Sequence, residues 1–570
     1  MTRRMEAIRA IAASLLSALV LCLAHSTLDA QSANRAGTRV ISGVVSSAAS
    51  GQPLAGANVT LRDTSIRDFP IVAGAISDDQ GRFVFANPAD GRFALSAWHR
   101  GYVAAGFEEH DGAFTAIVTG ENLNTTGLAL SLPPLGAIFG TVTEDSGDPV
   151  PQARLLLFRK IRRNGTERIE RAGQVIADDM GNFELAHLAP GSYFLCASGT
   201  PWYRPRSAPM LPGSDGGDSG QARSPLDAAY PPTCYADTTG PAGAEPIPLS
   251  AGDRLQANLT LHPVPAVHIL FHAPKPSPDR GIAMPQLNQE VFGISDPVQA
   301  GGSVIPNRNG SDPDAGPTME ISGVAPGQYA LEWAGADPSR DSPRTAVLAV
   351  SSSDVSFDAS ALQPMASVSG KLIVAGGELP SSAAIALVTT RGEWKGSAAI
   401  ESDGSFQLRG VSPGEYGVTI TGSGFSLAIT HLKANGAKVA DGNFNVGNDP
   451  VELTVTAVKP STSVTGFVTL NGKPASGVFV LMVPSSPNIG RFAMQLNQSD
   501  SDGSFVFPLV IPGQYRVVAI EQGWRLDWSQ GDVIGPYLAR GTSVTVAPNA
   551  QKVDLETPVE AQAIGAPQTR

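Results

Sequence analysis

Charged residues are scarce in this sequence. Asp, Glu, Lys and Arg make up 16% of the 570 residues, against 42% apolar. A chain with that balance buries real cores, which excludes wholesale disorder. Lys and Arg number 40 against 52 acidic residues, a net charge of −12. Such a chain repels phosphate backbones, so nucleic acid is not an expected partner. Histidine is rare as well. None of the 8 is followed by Glu at one or three residues, so the ligand spacing of a zinc peptidase is missing, and no metal or other cofactor is expected. After residue 30 there is no run of 18 apolar residues, hence no transmembrane segment in the mature chain, and no sustained helical periodicity.

Cysteine is nearly absent, with 3 in all. The first, Cys22, lies in an N-terminus that reads as a signal peptide over residues 1–30. Arg3, Arg4 and Arg9 precede the uncharged apolar run Ile11–Ala24, and small residues offer cleavage at Ala30–Gln31. Glu6 spoils a twin-arginine signal, and Leu21 beside Cys22 disfavours lipid processing. Export leaves Cys196 and Cys234. In an oxidising compartment these are expected to form a disulfide, the alternative being two free thiols. The destination is extracellular, periplasmic or the outer cell surface.

What is abundant is Gly, 61, and Pro, 45, above their usual joint share of about 12%. They punctuate a repeat. One unit reads Ile41-Ser42-Gly43-Val44, Gly51-Gln52-Pro53-Leu54-Ala55-Gly56-Ala57, Asp78-Asp79-Gln80-Gly81-Arg82-Phe83 and Gly91-Arg92-Phe93. The order returns with Asp179-Met180-Gly181-Asn182-Phe183 and Pro190-Gly191-Ser192-Tyr193, then with Asp403-Gly404-Ser405-Phe406 and Pro413-Gly414-Glu415-Tyr416. It returns again with Asp502-Gly503-Ser504-Phe505 and Pro512-Gly513-Gln514-Tyr515. A degenerate copy keeps Gly316 and Pro326-Gly327-Gln328-Tyr329. From turn glycine to corner glycine the step is ten residues four times, 81–91, 181–191, 404–414 and 503–513, and eleven in the degenerate copy, 316–327. An interval that constant implies a rigid unit, expected to be a β-hairpin or meander with the aromatic as a core plug. Short alternating strands with turns every 8–12 residues indicate Greek-key sandwiches.

The fold class expected is therefore all-β, a tandem array of about five Greek-key (transthyretin-like or Ig-like) β-sandwich modules. The expected limits are 38–133, 134–264 with a long loop 200–246, 265–364 (degenerate), 365–459 and 460–560. The series Gly-x-Val, Gly-x-Pro-x-x-Gly-Ala-x-Val, Asp-x-x-Gly-x-Phe and Pro-Gly-x-Tyr resembles the bacterial carboxypeptidase regulatory-like domain over most of residues 38–560. That resemblance implies a transthyretin-like, carbohydrate-binding-like sandwich. It transfers no catalytic residue.

Chemistry-bearing patterns are few. Gly410-Val411-Ser412-Pro413-Gly414 matches a nucleophile elbow, but in a strand-to-strand turn. Gly466–Lys473 fails as a phosphate loop, with Asn471 at the glycine position. Asp500-Ser501-Asp502-Gly503 begins like a calcium loop without the distal Glu. His268 and His272 share one strand face with no third ligand evident. The basic stretch Arg159–Arg171 reads as a solvated hairpin arm. The best candidate surface is the excursion Thr200–Pro246, whose Trp202, Tyr203, Tyr230 and Tyr235 could stack on sugars or peptide side chains, and whose Gly213–Gly217 reads as flexible. The expected function is a non-catalytic secreted or cell-surface protein for binding, adhesion or spacing, with a glycan or an extracellular or cell-surface protein as partner. The alternative is an accessory component of an extracellular hydrolase system. An outer-membrane barrel is not expected, since sandwiches use up the chain.

Overall fold

The structure is a computed structural model. It describes residues 39–565 apart from 67, 122, 205–225, 275–282, 306–314, 335–342, 391–392, 424–425, 441 and 486–492. The export segment with Cys22 and the stretch Gly213–Gly217 lie outside these residues.

The chain is all-β, and its buried side chains gather into five large cores in sequence order. They run from Ile41 to Leu132, Ile138 to Leu261, Val267 to Leu362, Ala366 to Ala457 and Val464 to Ala561. The first four lie between two sheets and the fifth inside one nine-stranded sheet that folds over it, with strands that alternate inward and outward, as Val40–Ser47 does with Ile41, Gly43, Val45 and Ser47 facing one side. In the first unit, Val40–Ser47 pairs antiparallel with Arg82–Ala86 and parallel with Leu128–Leu132. The facing sheet runs Ile71–Ile76, Asn58–Asp63, Gly91–Trp98. Every unit keeps one feature: its first strand lies parallel to a strand near its C-terminal end. Val267–Pro274 does so with Val355–Asp358, and Ala366–Ala375 with Val451–Val458.

The ten-residue interval has a different cause from the hairpin or meander expected of it. Arg82–Ala86 belongs to one sheet and Gly91–Trp98 to the other. The same holds for Asn182–Leu188 and Gly191–Ser198, and for Ser405–Val411 and Gly414–Thr421. The interval is one strand plus the crossing that follows it, so the strand's length and the passage to the facing sheet together fix it. Gly81 makes the crossing before that strand at φ 71°. A Cβ there would also collide with the carbonyl of Val45. At the crossing after the strand the aromatic is buried, and the tyrosine hydroxyl returns to a backbone carbonyl four residues earlier. Tyr193 donates to Ala189 (2.6 Å), Tyr329 to Ala325 (2.7 Å), Tyr416 to Ser412 (2.8 Å) and Tyr515 to Ile511 (2.8 Å). This is a tyrosine corner. The first unit has Phe93 there and lacks the bond.

Two further expectations change. Gly316 is not a turn glycine but lies inside the strand Ala315–Val324, pressed against the backbone of Ala273 and Pro274. An α-helix, Gly531–Leu538, covers the outer face of the fifth unit with Ile534 and Tyr537 against Phe479, Val518 and Trp528. Only these two helix residues are buried, and Gly531, Gly535 and Pro536 are poor helix formers, so the sequence carries little 3.6-residue signal.

The units also touch beyond their neighbours in sequence. The first and second join through the Leu135 N–H to the Gly101 carbonyl (2.9 Å), and the third and fourth through the Met365 N–H to the Pro343 carbonyl (2.8 Å). Ala428 and Val458 of the fourth pack on the fifth core. The fifth then returns to the first. Asp500 pairs with Arg92 and accepts the Ala116 N–H (3.1 Å), Ser501 Oγ accepts the Val118 N–H (2.9 Å), and Gln498 Nε2 donates to Thr115 Oγ1 (2.6 Å). Thr115, Gln498, Ser499 and Asp500 are buried there. The array closes on itself.

Candidate functional site

The excursion leaves the strand Gly191–Ser198. Tyr193, Leu195 and Ala197 enter the second core, while Cys196 points out of it with Phe194. Cys196 stands in register with Cys234 on the short strand Thr233–Cys234, with sulfurs 2.02 Å and Cα atoms 3.9 Å apart. Leu156, Phe158 and, from the third unit, Val291 and Phe292 cover the pair. The cysteines therefore sit within the contact between the second and third units.

The four aromatics separate. Tyr230 is buried in the second core and donates its hydroxyl to Glu144 Oε2 (2.7 Å). Tyr203 donates to the same oxygen (3.3 Å). Burial first, then Glu144, holds both phenols above the ordinary tyrosine range. Trp202 stands edge-on to Tyr203 at 5.6 Å and is 69% exposed. Tyr235 is half-buried against the second core, its N–H on the Leu195 carbonyl (2.9 Å). Of the four, only Trp202 offers an open face.

A crevice between the second and third units is lined by Arg154, Cys196, Ser198, Tyr230, Val291 and Asp296. Asp296 pairs with both Arg154 and Arg171. Arg154 Nε and Ser198 Oγ are buried without a hydrogen-bond partner among the described residues.

The basic stretch forms the expected hairpin arm, with Lys160 and Arg163 exposed, but its tip is not free. The strands Arg154–Arg163 and Thr166–Ile176 form a hairpin whose tip docks on the fifth unit. Arg162 pairs with Asp527, Thr166 Oγ1 meets Ser529 Oγ at 2.8 Å, and Gly165 lies against the Trp528 ring. The Asn164 N–H reaches Asp111 of the first unit (3.1 Å). Lys160 and Arg168 pair with Glu167 and Glu170, so the basic charge is spent within the fold.

The remaining motifs are structural in the same way. The Ser412 carbonyl serves the Tyr416 corner. Asp500 faces the first unit, whereas its counterpart Asp78 caps its own turn through the Gln80 and Arg82 N–H groups, both at 2.9 Å. His272 meets Thr318 Oγ1 (3.0 Å) and Ser356 Oγ (2.9 Å). His268 instead lies between Asp227 and Glu320. Among the described residues no three metal-ligating side chains gather into a metal-binding group. Sequence reasoning missed Arg204, Asp227 and Glu320, because no local pattern marks partners 41 and 52 residues from His268.

Residues 40–116 match the family model of the carboxypeptidase regulatory-like domain. Among solved structures, the TIE protein of Bacillus anthracis is similar at 10% identity, covering 74% of each chain with a TM-score of 0.16. The minor pilin of Streptococcus agalactiae is similar at 13% identity, covering 40% of this chain and 97% of its own, with a TM-score of 0.20. BcpA, the major pilin subunit of Bacillus cereus, is similar at 10% identity, covering 74% of this chain and 99% of its own, with a TM-score of 0.14. No functional residue is carried over from them. Comparison with curated proteins gives no match.

Proposed function

We propose that this chain, whose residues 40–116 are a carboxypeptidase regulatory-like domain, is a non-catalytic scaffold of five sandwich modules acting outside the cytoplasm, at the cell surface or in the extracellular space. One observation carries the reading: the polar side chains that could have formed a reactive centre are used to lock strands and units together. The clearest case is the buried clasp of Gln498, Ser499 and Asp500 on Thr115 and Ala116. Catalytic groups need convergence on a shared cavity, and these groups diverge into structural bonds. The scaffold presents the exposed Trp202 face for stacking on a glycan or a protein side chain.

Small-angle scattering of the mature protein tests the scaffold. The wild type gives a compact envelope, and Gln498→Arg, which opens the clasp, enlarges the radius of gyration while circular dichroism stays β-rich. An extended envelope for the wild type refutes the closed scaffold. Chelator-sensitive release of C-terminal residues refutes the non-catalytic reading. A glycan or surface-protein array read with wild type and Trp202→Ala tests the binding face, and equal signals from both remove Trp202 from it.

A further inference from the structure

Arg204 and Asp227 flank the stretch 205–225, and both rest on the third unit. The Arg204 guanidinium lies over Gly323, where a Cβ would collide with it, and beside Gly301, where a Cβ would come within 2.6 Å of Nη2. Its Nη2 also donates to Ser322 Oγ (3.3 Å). Asp227 Oδ2 lies 2.7 Å from His268 Nε2, and Glu320 Oε1 lies 2.6 Å from His268 Nδ1. Glu320 is held in turn by Ser303 Oγ (3.0 Å), and the His268 N–H is held by Asp354 Oδ1 (2.8 Å). Behind Asp227 the chain pairs Ala228–Ala229 with Val264–Pro265 over the small residues Ala266 and Ala325. The Ala266 N–H adds one bond to the Asp227 carbonyl (2.9 Å), and Tyr230 beyond is held by the second core, so the polar contacts decide whether Asp227–Ala229 stays docked on the third unit.

Both ring nitrogens of His268 face carboxylate oxygens. An ionised carboxylate only accepts hydrogen bonds, so both nitrogens must donate and the ring must be imidazolium. Arg204, Asp227, His268 and Glu320 are then neutral in sum. Loss of the proton points a lone pair at an anion and leaves the four groups with one net negative charge. We propose that His268 is a proton-operated latch between the second and third units, holding the Asp227–Ala229 segment on the third unit when protonated and releasing it when the proton leaves.

The sign follows from the surroundings. Burial opposes the charged ring, but the hydrogen bonds and charge of Glu320 and Asp227 outweigh it and hold His268 above its ordinary 6.5. Docking is therefore fully supported below 6.5 and lost as pH rises through the docked-state value. Exchange protection of the Ala266 amide, which donates to the Asp227 carbonyl, corrected for intrinsic rate, falls about tenfold per unit of separation between docked and undocked values. The experiment uses mature full-length protein labelled at the imidazole Cε1, with His268→Gln supplying the assignment. In wild type the His268 resonance titrates above 6.5 and protection falls with the same midpoint. Asp227→Asn moves that midpoint down, and His268→Gln leaves Ala266 weakly protected at every pH. A resonance titrating at or below 6.5, protection independent of pH, or an unmoved midpoint in Asp227→Asn overturns the latch. The wild-type titration needs no variant to fold.

Discussion

At the residue scale, a tyrosine hydroxyl and a carboxylate set two measurable terms. Tyr416→Phe removes the corner bond to Ser412 but keeps the ring buried, and should cost about 1 kcal/mol in urea denaturation. Phe93→Tyr in the first unit tests the same corner in the other direction, with a gain of similar size if its hydroxyl finds the Ala89 carbonyl. Asp500 behaves differently. Burial pushes its carboxyl up to about 7, while Arg92 pulls it the other way. A raised carboxyl favours the protonated form in the fold, so this group's contribution is complete below its ordinary 3.8 and declines as pH rises toward 7. Urea midpoints measured across that window should fall with pH in wild type and flatten in Asp500→Asn. Arg92→Met removes the counter-charge, so the carboxyl should hold its proton to higher pH and the midpoint of that decline should move up.

At the element scale, Gly165 is the contact that brings the Arg154–Ile176 hairpin to the fifth unit. Gly165→Val meets the Trp528 ring and a backbone at φ 68°, so the tip should undock, with a red-shifted tryptophan emission and faster exchange at 527–529. A strand of the first unit shows what happens without such cover. The edge strand Ile71–Ile76 carries no charge, leaves Val72 and Ile76 49% and 71% exposed, and among the described residues pairs only with Asn58–Asp63. Edges of that kind invite strand addition, and Ile76→Lys should slow concentration-dependent association in light scattering.

The sandwiches themselves were legible in sequence, because Gly81, Gly181, Gly404 and Gly503 share one turn role and Phe83 or Tyr416 recur at fixed offsets from the turns. The sheet crossing was not, since a strand that stays in its sheet and one that leaves it show the same alternation. Nor was the docking of the basic hairpin, because Asp527 and Ser529 lie more than 360 residues away and no local pattern marks them. Of the candidate site, Trp202, Tyr203 and Tyr230 were visible as aromatics in a long loop. The capture of the two tyrosines by Glu144 was not, because that residue lies at the end of the unit's first strand, 59 and 86 residues away.

At the scale of the whole molecule, closure couples distant units. The Cys196–Cys234 pair is covered by Val291 and Phe292, so its loss should reach the third unit as well as the second. A 38-residue separation falls between the 15- and 100-residue cases of the chain-entropy treatment, about 3–4.7 kcal/mol. Cys196→Ala with Cys234→Ala should lower the melting temperature, and exchange should rise on both sides of the crevice. A change confined to residues 191–249 would mean that the two units melt independently.

The parallel pairing of each unit's first strand with one near its C-terminal end has a mechanical consequence. Chain entry and exit lie at opposite ends of each unit, so tension along the polypeptide slides the two strands past each other. Every rung of the ladder between them then carries load together, where a hairpin pulled from one end would open rung by rung. The fourth unit has eight such rungs, Val368–Ala375 on Val451–Val458, the first has five, and the third has four. Stretched between its ends in a force microscope, the chain should first lose the clasp in one long low-force extension. The units should then yield in order of rung number, the third before the first and the fourth later than both.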